Sequence, residues 1–375
     1  MDPVDPIPMA PYPISVVYLT AWHNSVPELP SLVSGITHVC LAFMSPAAFN
    51  APDPITASFP FITTIDEIRA QFPKTTKVLV AIGGWGDTKW FSIGAKTRQS
   101  RRLFSSNVKA MLGATGADDV DWEYPGGNGE DWKRITNSEK AWEVDAFPEL
   151  ISEIRTGIGT DKVISAAIPG LPRDMIAFTP ANLAKLVPLT DFFNIMTYDL
   201  MNRRDVKTIH HAVIEPSCEA IDTYLANGIP AHKANLGFAF YIKWFKVATT
   251  ETKDDSPVGI PTVVMEDPIT GADMGTSGAF ARCDKVPVAV AASFDRALKL
   301  GRYDNVHMGH YFLDEKENIF WSWETPEAIA KKFSSIVGVR NLGGVFAWGL
   351  GEDSKDWSHL KALNAEVQEA RTADK

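Results

Sequence analysis

Cysteine is scarce in this chain of 375 residues, which has only Cys40, Cys218 and Cys283, far apart in the sequence. An odd number at such spacing matches neither a disulfide framework nor a zinc motif. Cys40 lies within an apolar run and is expected to be a buried thiol. Long apolar runs are also lacking, since none approaches the roughly 18 residues that a membrane-spanning helix needs. No membrane partner is therefore expected.

Targeting signals are lacking as well. The first residues, MDPVDPIPMAPYP, have neither a basic start nor an apolar core of signal length, so no signal peptide is expected in the chain as given. No Asn-x-Ser/Thr sequon is present, and this slightly favours a cytoplasmic protein. A mature form whose signal has been removed fits equally well, so the compartment stays open.

Positive charge is in deficit, with 36 Lys and Arg against 46 Asp and Glu and a net charge of −10. Because an acidic chain repels phosphate, and no basic run is interleaved with aromatic residues, nucleic acid is excluded as an expected partner. Tryptophan is abundant instead, at 11 residues. Some of these side chains could line a groove for a flat apolar face such as that of a sugar ring, although core packing is the simpler reading for any one of them.

Short, mostly apolar runs alternate with helical patterns along the chain. Continuously apolar runs are typical of parallel strands that are covered on both faces. Eight such units predict a (β/α)8 TIM barrel. A doubly wound open sheet is the alternative, but its Gly-rich phosphate turn is missing after the first run. The eight predicted strands are Ile14–Tyr18, His38–Phe43, Lys77–Ile82, Asp119–Glu123, Val163–Ile168, Phe193–Tyr198, Ala234–Phe240 and Gly344–Trp348.

One spacing is too long for a barrel loop. Between the seventh and eighth runs the chain has turn-rich stretches and one helical pattern, Val288–Leu300. We expect a small α+β insertion at 246–312, with the barrel formed by 1–245 and 313–375. A barrel alone needs about 250 residues, so the total length agrees with such an insertion.

Three carboxylates alternate along the fourth predicted strand. Asp119, Asp121 and Glu123 share one face, since side chains in a strand alternate between faces. Like charges at this range raise the pKa of at least one group and keep a proton available near neutral pH, as a general acid requires. Glu123 is nearest the C-terminal edge, where barrel enzymes have their active sites. A metal cluster would need further ligands at another strand end, and none is obvious.

The run DVDWEYP at 119–125 resembles the signature of the family 18 glycoside hydrolases, the chitinases, of the fungal type. Three other segments resemble the family's third, sixth and eighth strands, in the same order: Ala81–Trp85 (AIGGW), Asn194–Asp199 (NIMTYD) and Gly343–Trp348 (GGVFAW). The resemblance covers about residues 14 to 360 and implies a chitinase-type (β/α)8 barrel.

The sequence departs from the family pattern in four places. The first Asp of the signature falls at Gly116, and Asp118 occupies a neighbouring apolar position. The third-strand Ser is Ala81, and the usual Tyr-Gly-Arg after strand seven is Tyr-Ile-Lys at 241–243. These changes remove supporting charge and hydrogen bonds below the expected acid, so activity is expected to survive, in reduced form.

The resemblance implies a catalytic set of four residues. Glu123 would protonate the glycosidic oxygen while the substrate's own acetamido oxygen attacks the anomeric carbon, the substrate-assisted route of this family. Asp121 would orient the acetamide, Asp119 would share a proton with Asp121, and Tyr198 would hold the acetamide oxygen. Asp199 is the one other residue that could serve as a nucleophile, although a hydrogen bond from Asp199 to the bound sugar is preferred.

The ends of the predicted strands supply the expected substrate-binding residues. Trp348 is expected below the distorted sugar, whereas packing is a real alternative for Met196 and Tyr241. The pair His210–His211 is an improbable metal site, because adjacent side chains rarely point at one ion. Arg203 and Arg204 are expected to order a loop or to touch sugar hydroxyls, and Trp321 and Trp323 to pack. The full expected set is Trp348, Asp199, Met196, Trp85, Tyr124, Tyr241 and Trp22.

Together these features predict a monomeric glycoside hydrolase that needs no cofactor or metal and acts on β-1,4-linked N-acetylglucosamine polymers or oligomers. Gly116 and Ala81 leave open a chitin-oligosaccharide-binding, chitinase-like protein with little turnover. A hydrolase of N-glycan cores with the same fold is a third possibility.

Overall fold

A computed structural model of the chain describes residues 13–59, 63–117, 119–123, 133–252 and 256–373, with only the backbone described for Thr88, Asn137 and 119–123. The described helices include none that combines the length and apolar character required to cross a membrane.

Eight parallel strands close into a barrel, which confirms the predicted (β/α)8 fold. Going round the barrel, each strand pairs with its neighbour in chain order, and the last strand, β13, closes the ring between β1 and β7. The barrel strands are β1 Ile14–Thr20, β2 His38–Met44, β3 Lys77–Gly83, β4 Asp119–Glu123, β5 Ile164–Pro169, β6 Phe192–Met196, β7 Ala234–Ala239 and β13 Gly344–Trp348.

Apart from the acidic β4, the strands are mostly apolar on both faces because each face meets a different layer. Outward side chains such as Val80 and Ile195 pack under the helices in one large cluster, and inward side chains such as Leu79 and Phe346 fill the barrel. The helices are α1 Pro30–Val33, α2 Ile65–Arg69, α3 Thr88–Ala95, α4 Arg98–Thr115, α5 Asn137–Ile158, α6 Pro180–Leu186, α7 Ile214–Ala226, α8 Ala291–Leu300, α9 Pro326–Arg340 and α10 Ser358–Ala373. Short 3-10 turns lie at Pro46–Asn50, Pro172–Asp174, Ala231–Lys233, Val288–Val290 and Leu350–Glu352.

The end of α4 accounts for one departure from the family pattern. Gly116 follows the helix with φ 71°, and its N–H donates to the Leu112 carbonyl oxygen at 3.0 Å. Residues with a Cβ rarely adopt this left-handed conformation, so glycine is the expected residue at the helix end. The position that holds an Asp in the family signature therefore ends a helix here.

A five-stranded antiparallel sheet lies between β7 and β13, in the order β10-β11-β12-β8-β9. Its strands are β8 Tyr241–Lys246, β9 Ser277–Ala281, β10 Arg302–Asp304, β11 Gly309–Asp314 and β12 Ile319–Trp323. Helix α8 packs on this sheet, where Trp321 and Trp323 are buried with Phe280 and Phe294. This sheet and α8 confirm the predicted α+β insertion between the seventh and eighth barrel strands. The sheet extends beyond both ends of the expected bounds 246–312, and the division of the chain into two domains stays a proposal.

Candidate active site

The register of β4 relates the three alternating acidic positions to the barrel interior. Positions 119, 121 and 123 pair with Leu79, Ala81 and Gly83 of β3, and position 123 also pairs with Ala167 of β5. Leu79, Ala81 and Ala167 belong to the inner cluster of the barrel. Because paired residues of neighbouring strands share a face, these three positions lie on the inner face. Only the backbone of β4 is described, and Tyr124 and Asp118 lie outside the described residues.

A cavity of about 500 Å3 opens at this edge of the barrel, and Ala167 lines it. The structure brings seven of the expected substrate-site residues together around it, although their roles stay proposals. These residues are Trp22, Trp85, Met196, Tyr198, Asp199, Tyr241 and Trp348. Trp22 and Trp85 are 58% and 49% exposed, so each offers a large apolar face to a ligand.

Trp348 lines the cavity and packs against two other rings. Its ring centroid is 5.6 Å from that of Phe43 in a stacked arrangement and 5.3 Å from that of Tyr18. Met196 packs against the same inner cluster. The Trp348 ring is thus supported from the barrel side, and its role below a bound sugar stays a proposal.

Asp199 is the polar centre of the cavity. It follows β6 in the left-handed conformation, with φ 53°, and its side chain is 52% exposed. Its Oδ1 accepts a hydrogen bond from the Tyr241 hydroxyl at 2.6 Å and one from Lys243 Nζ at 2.9 Å. Tyr241 and Lys243 alternate along β8 and so share one face. Lys243, at the position of the family's Arg, thus pairs with Asp199.

The charge of Asp199 is stabilised by these neighbours. Enclosure by the cavity wall acts to raise the pKa of the carboxyl, but the charge of Lys243 and the hydrogen bonds from Tyr241 and Lys243 outweigh it, and the pKa lies below its ordinary value. Burial and the adjacent Asp199 raise the pKa of Tyr241 well above 10. At neutral pH the site therefore holds an ionised Asp199 and a neutral Tyr241 that donates to it.

His211 is fully buried behind this group, with its Nδ1 3.9 Å from Asp199 Oδ1. Burial, and then the nearby Lys243, lower the pKa of His211 to about 3. The unfolded chain therefore binds one more proton at this residue than the folded chain does between pH 6.5 and pH 3. Wherever the unfolded state binds more protons, the free energy of unfolding falls as pH decreases. His211 therefore destabilises the fold as pH decreases through this window.

We expect this linkage to cost about 2 kcal/mol of folding free energy between pH 7 and pH 5. Urea unfolding of the wild type and of His211→Gln at both pH values measures it: the variant should lose that part of the pH dependence. Replacement of the exposed His232 by Gln is the matched control and should not change the pH dependence of the free energy of unfolding. Equal pH dependence in all three proteins would contradict the assignment.

Arg203 and Arg204, expected to order a loop or touch sugar, both make ion pairs. Arg203 Nη1 lies 3.0 Å from Asp273 Oδ2, and its guanidinium lies 5.7 Å from the Trp85 ring centroid. Arg204 donates to Asp174 Oδ1 at 2.7 Å. The two arginines thus fix the side of the cavity next to Trp85.

Three residues that sequence reasoning missed also line the cavity: His23, Asp284 and Glu352. His23 Nε2 lies 2.9 Å from Asp284 Oδ1, and His23 Nδ1 lies 3.5 Å from Glu352 Oε1. Burial raises the pKa of Glu352, which His23 partly offsets. The one available signal was the position of each residue just past a strand, since His23 follows β1 and Glu352 follows β13.

Two groups of side chains among the described residues have the donor atoms and spacing for a metal ion. One is His23, Cys283 and Asp284; the other is His210, Asp304 and His307. His210 Nε2 lies 3.1 Å from Asp304 Oδ2, whereas Nδ1 of the adjacent His211 lies 3.9 Å from Asp199 Oδ1, so the two side chains turn in different directions.

The sequence is similar to fungal chitinases. Endochitinase 1 of Metarhizium robertsii is 24% identical over 294 residues, 75% of this chain, and Sporulation-specific chitinase 2 of Saccharomyces cerevisiae is 26% identical over 285 residues, 73% of this chain. This chain spans 62% and 54% of the lengths of those two proteins. Chitinase 1 of Aphanocladium album is 24% identical over 381 residues, 91% of this chain and 82% of its own length.

Solved structures share the fold. A chitinase from Rhizomucor miehei superposes with a TM-score of 0.75 at 18% identity, covering 94% of this chain and 99% of its own. A plant class V chitinase mutant from Cycas revoluta, in complex with (GlcNAc)3, superposes with a TM-score of 0.68 at 20% identity, with the same coverage. The family model described as glycosyl hydrolases family 18 matches residues 14–353. With barrel, motif order and this match in agreement, the resemblance found in the sequence is confirmed, and the chain belongs to glycosyl hydrolases family 18.

Proposed function

We propose that this chain hydrolyses β-1,4-linked N-acetylglucosamine polymers or oligomers by a substrate-assisted, retaining mechanism. The observation that carries the proposal is the position of residue 123. It lies at the C-terminal end of β4, on the inner face, in register with Ala167 at the wall of an aromatic cavity. The relatives named as chitinases and the Cycas revoluta structure in complex with (GlcNAc)3 support the same substrate class.

Glu123 is the proposed general acid. It transfers its proton to the glycosidic oxygen as the bond to the anomeric carbon breaks. The acetamido oxygen of the same sugar forms the new bond to that carbon, giving an oxazolinium ion. The Glu123 carboxylate then takes a proton from an incoming water, which attacks the anomeric carbon from the side that the leaving group vacated. Two displacements at one carbon retain its configuration.

The acetamide needs a partner at each end. Asp121 is proposed to accept a hydrogen bond from the acetamide N–H and to offset the positive charge of the oxazolinium ion. Asp119 shares a proton with Asp121, since two adjacent carboxylates are unfavourable when both are ionised. The Tyr198 side chain lines the cavity, and its hydroxyl is proposed to donate to the acetamide oxygen.

Asp199 is proposed to bind the sugar rather than to attack it. Its Oδ1 already accepts from Tyr241 and Lys243, and the pair lowers the pKa and the nucleophilicity of the carboxylate. The half-exposed carboxylate keeps acceptor capacity for a sugar hydroxyl. Trp348 provides the apolar floor, and Trp85 and Trp22 extend the aromatic surface along the cavity. A cleft of this kind fits a linear chain of sugar rings.

Product analysis with chitin hexamer tests the function. We expect shorter oligomers in chromatography, and we expect the β-anomer as the first product in proton NMR, because the configuration is retained. Initial formation of the α-anomer would contradict the mechanism.

A second candidate function is a chitin-oligosaccharide-binding protein with little turnover, and the observations that favour it are Gly116 and Ala81. Ala81 is fully buried in the inner cluster and pairs with position 121. A hydroxyl that could hydrogen-bond below the proposed acid is therefore missing. Binding of the hexamer without any product would support this candidate.

A further inference from the structure

We propose that His23, Cys283 and Asp284 bind a divalent transition-metal ion such as Zn2+ at the wall of the cavity, with Glu352 as the outer partner of His23. The site is independent of the proposed cleavage chemistry, to which none of these four residues contributes. His23 comes from a distant part of the chain, whereas Cys283 and Asp284 are adjacent; their donor atoms nevertheless lie within 4.8 Å of each other and of His23.

The donor atoms are suitable in kind and spacing. Imidazole nitrogen, thiolate sulfur and carboxylate oxygen are the ligands that Zn2+ prefers. The three donor atoms all lie within 4.8 Å of one another, and His23 Nε2 is 2.9 Å from Asp284 Oδ1. Ligand atoms bound at about 2.0–2.3 Å around a tetrahedral ion have similar mutual separations. Since His23 and Asp284 line the cavity, the fourth position can be taken by water.

Glu352 lies on the side of His23 where metal-binding histidines usually have an outer partner for their second nitrogen. Its Oε1 lies 3.5 Å from His23 Nδ1, and the residue is 5% exposed. With a proton on Nδ1 directed at Glu352, His23 presents Nε2 toward Cys283 and Asp284. At 3.5 Å the contact is an ion-pair distance and not a hydrogen bond, and Nδ1 of His23, like Nδ1 of His210 in the other candidate group, has no hydrogen-bond partner among the described residues.

The backbone holds the ligands before any metal binds. The Arg282 N–H donates to the Glu352 carbonyl oxygen at 2.9 Å, and the Cys283 thiol donates to the Gly351 carbonyl oxygen at 3.1 Å, a hydrogen bond that is lost when the thiolate binds the ion. Gly351 is required for this contact, since a Cβ there would lie 2.3 Å from the His23 carbonyl oxygen. Binding would release the thiol proton of Cys283 to solvent and would link the inserted sheet to the barrel.

An ion at the cavity wall would affect oligosaccharide binding, an inference that rests on the proposed function. An ion at His23 and Asp284 would occupy space in the cavity next to Trp22. Zn2+ should therefore compete with oligosaccharide. Metal binding is measured without substrate, so a protein that binds Zn2+ but cleaves no chitin would refute the function and leave the metal site supported.

Calorimetric titration of the full chain with Zn2+, and absorption spectroscopy with Co2+, test the site. We expect one ion per chain and a thiolate-to-cobalt charge-transfer band. Cys283→Ser should abolish the band, and Glu352→Gln should weaken Zn2+ binding about 10- to 100-fold, as loss of an outer partner does elsewhere. Cys218→Ser, at a partly buried cysteine on α7, is the matched control and should keep both the charge-transfer band and the Zn2+ affinity. The same Zn2+ affinity in Cys283→Ser and in the wild type would overturn the proposal.

Thiol labelling of the wild type gives a result that does not depend on the folding of a variant. Alkylation followed by peptide mass spectrometry should show that Zn2+ protects Cys283 and leaves the labelling of Cys218 unchanged. Equal labelling of Cys283 with and without Zn2+ would overturn the site.

Discussion

Glu123→Gln is expected to cleave chitin hexamer about 10² to 10⁴ times more slowly than the wild type, which is the usual contribution of a positioned general acid. Gln has nearly the same shape as Glu but carries no acidic proton, so the leaving oxygen would depart as an unprotonated alkoxide. The decrease in rate should appear in kcat, and the affinity for hexamer should not change, because the aromatic surface of the cavity is unchanged. Steady-state kinetics and calorimetric binding of the hexamer measure the two quantities.

The control for this variant is Glu219→Gln, an isosteric change at an exposed position on α7 that should leave kcat unaltered. A wild-type rate for Glu123→Gln would refute Glu123 as the acid. Absence of turnover in the wild type itself, with hexamer bound, would instead support the binding-protein alternative.

The barrel could be predicted because its signal is local. Most strands are short apolar runs, and runs such as Lys77–Ile82 and Gly344–Trp348 agree with the observed strands to within one residue. The start of the inserted sheet could not be predicted in this way. Only Phe240 separates β7 from β8, and the apolar character continues through both strands, so the sequence does not show where the chain leaves the barrel.

The site was predictable only where a motif marks it. Trp85, Tyr198 and Trp348 lie within family motifs, and the structure brings them to one cavity. His23, Asp284 and Glu352 are far apart in sequence and have no fixed spacing, so their meeting depends on how the inserted sheet packs on the barrel. The pairing of Asp199 with Lys243 was also not visible, because it joins a residue after β6 to a strand of the inserted sheet.

The last prediction concerns the ion pair between Glu324 and Lys332 on α9, in which both side chains are 2% exposed. Lys332 Nζ lies 3.1 Å from Glu324 Oε1 and donates to the Thr197 and Gly237 carbonyl oxygens at 2.8 Å each. Glu324 Oε2 accepts from the Ala239 N–H at 2.8 Å. The pair therefore holds the backbone at two places, just before Tyr198 and just before β8. Asp199 follows Tyr198, and β8 contains Tyr241, which donates to Asp199.

Glu324→Ala should lower the free energy of unfolding by about 3–5 kcal/mol, the cost of leaving one member of a buried ion pair without its partner. Urea denaturation measures this. The matched control is Asp222→Ala, which breaks the more exposed pair between Asp222 on α7 and Arg340 on α9 and should cost at most about 1 kcal/mol. If the two variants lose equal stability, the buried pair does not fix the strand ends. If Glu324→Ala alone is strongly destabilised, its hexamer activity at low temperature, where it stays folded, shows whether alignment of Tyr198 and Tyr241 depends on Glu324.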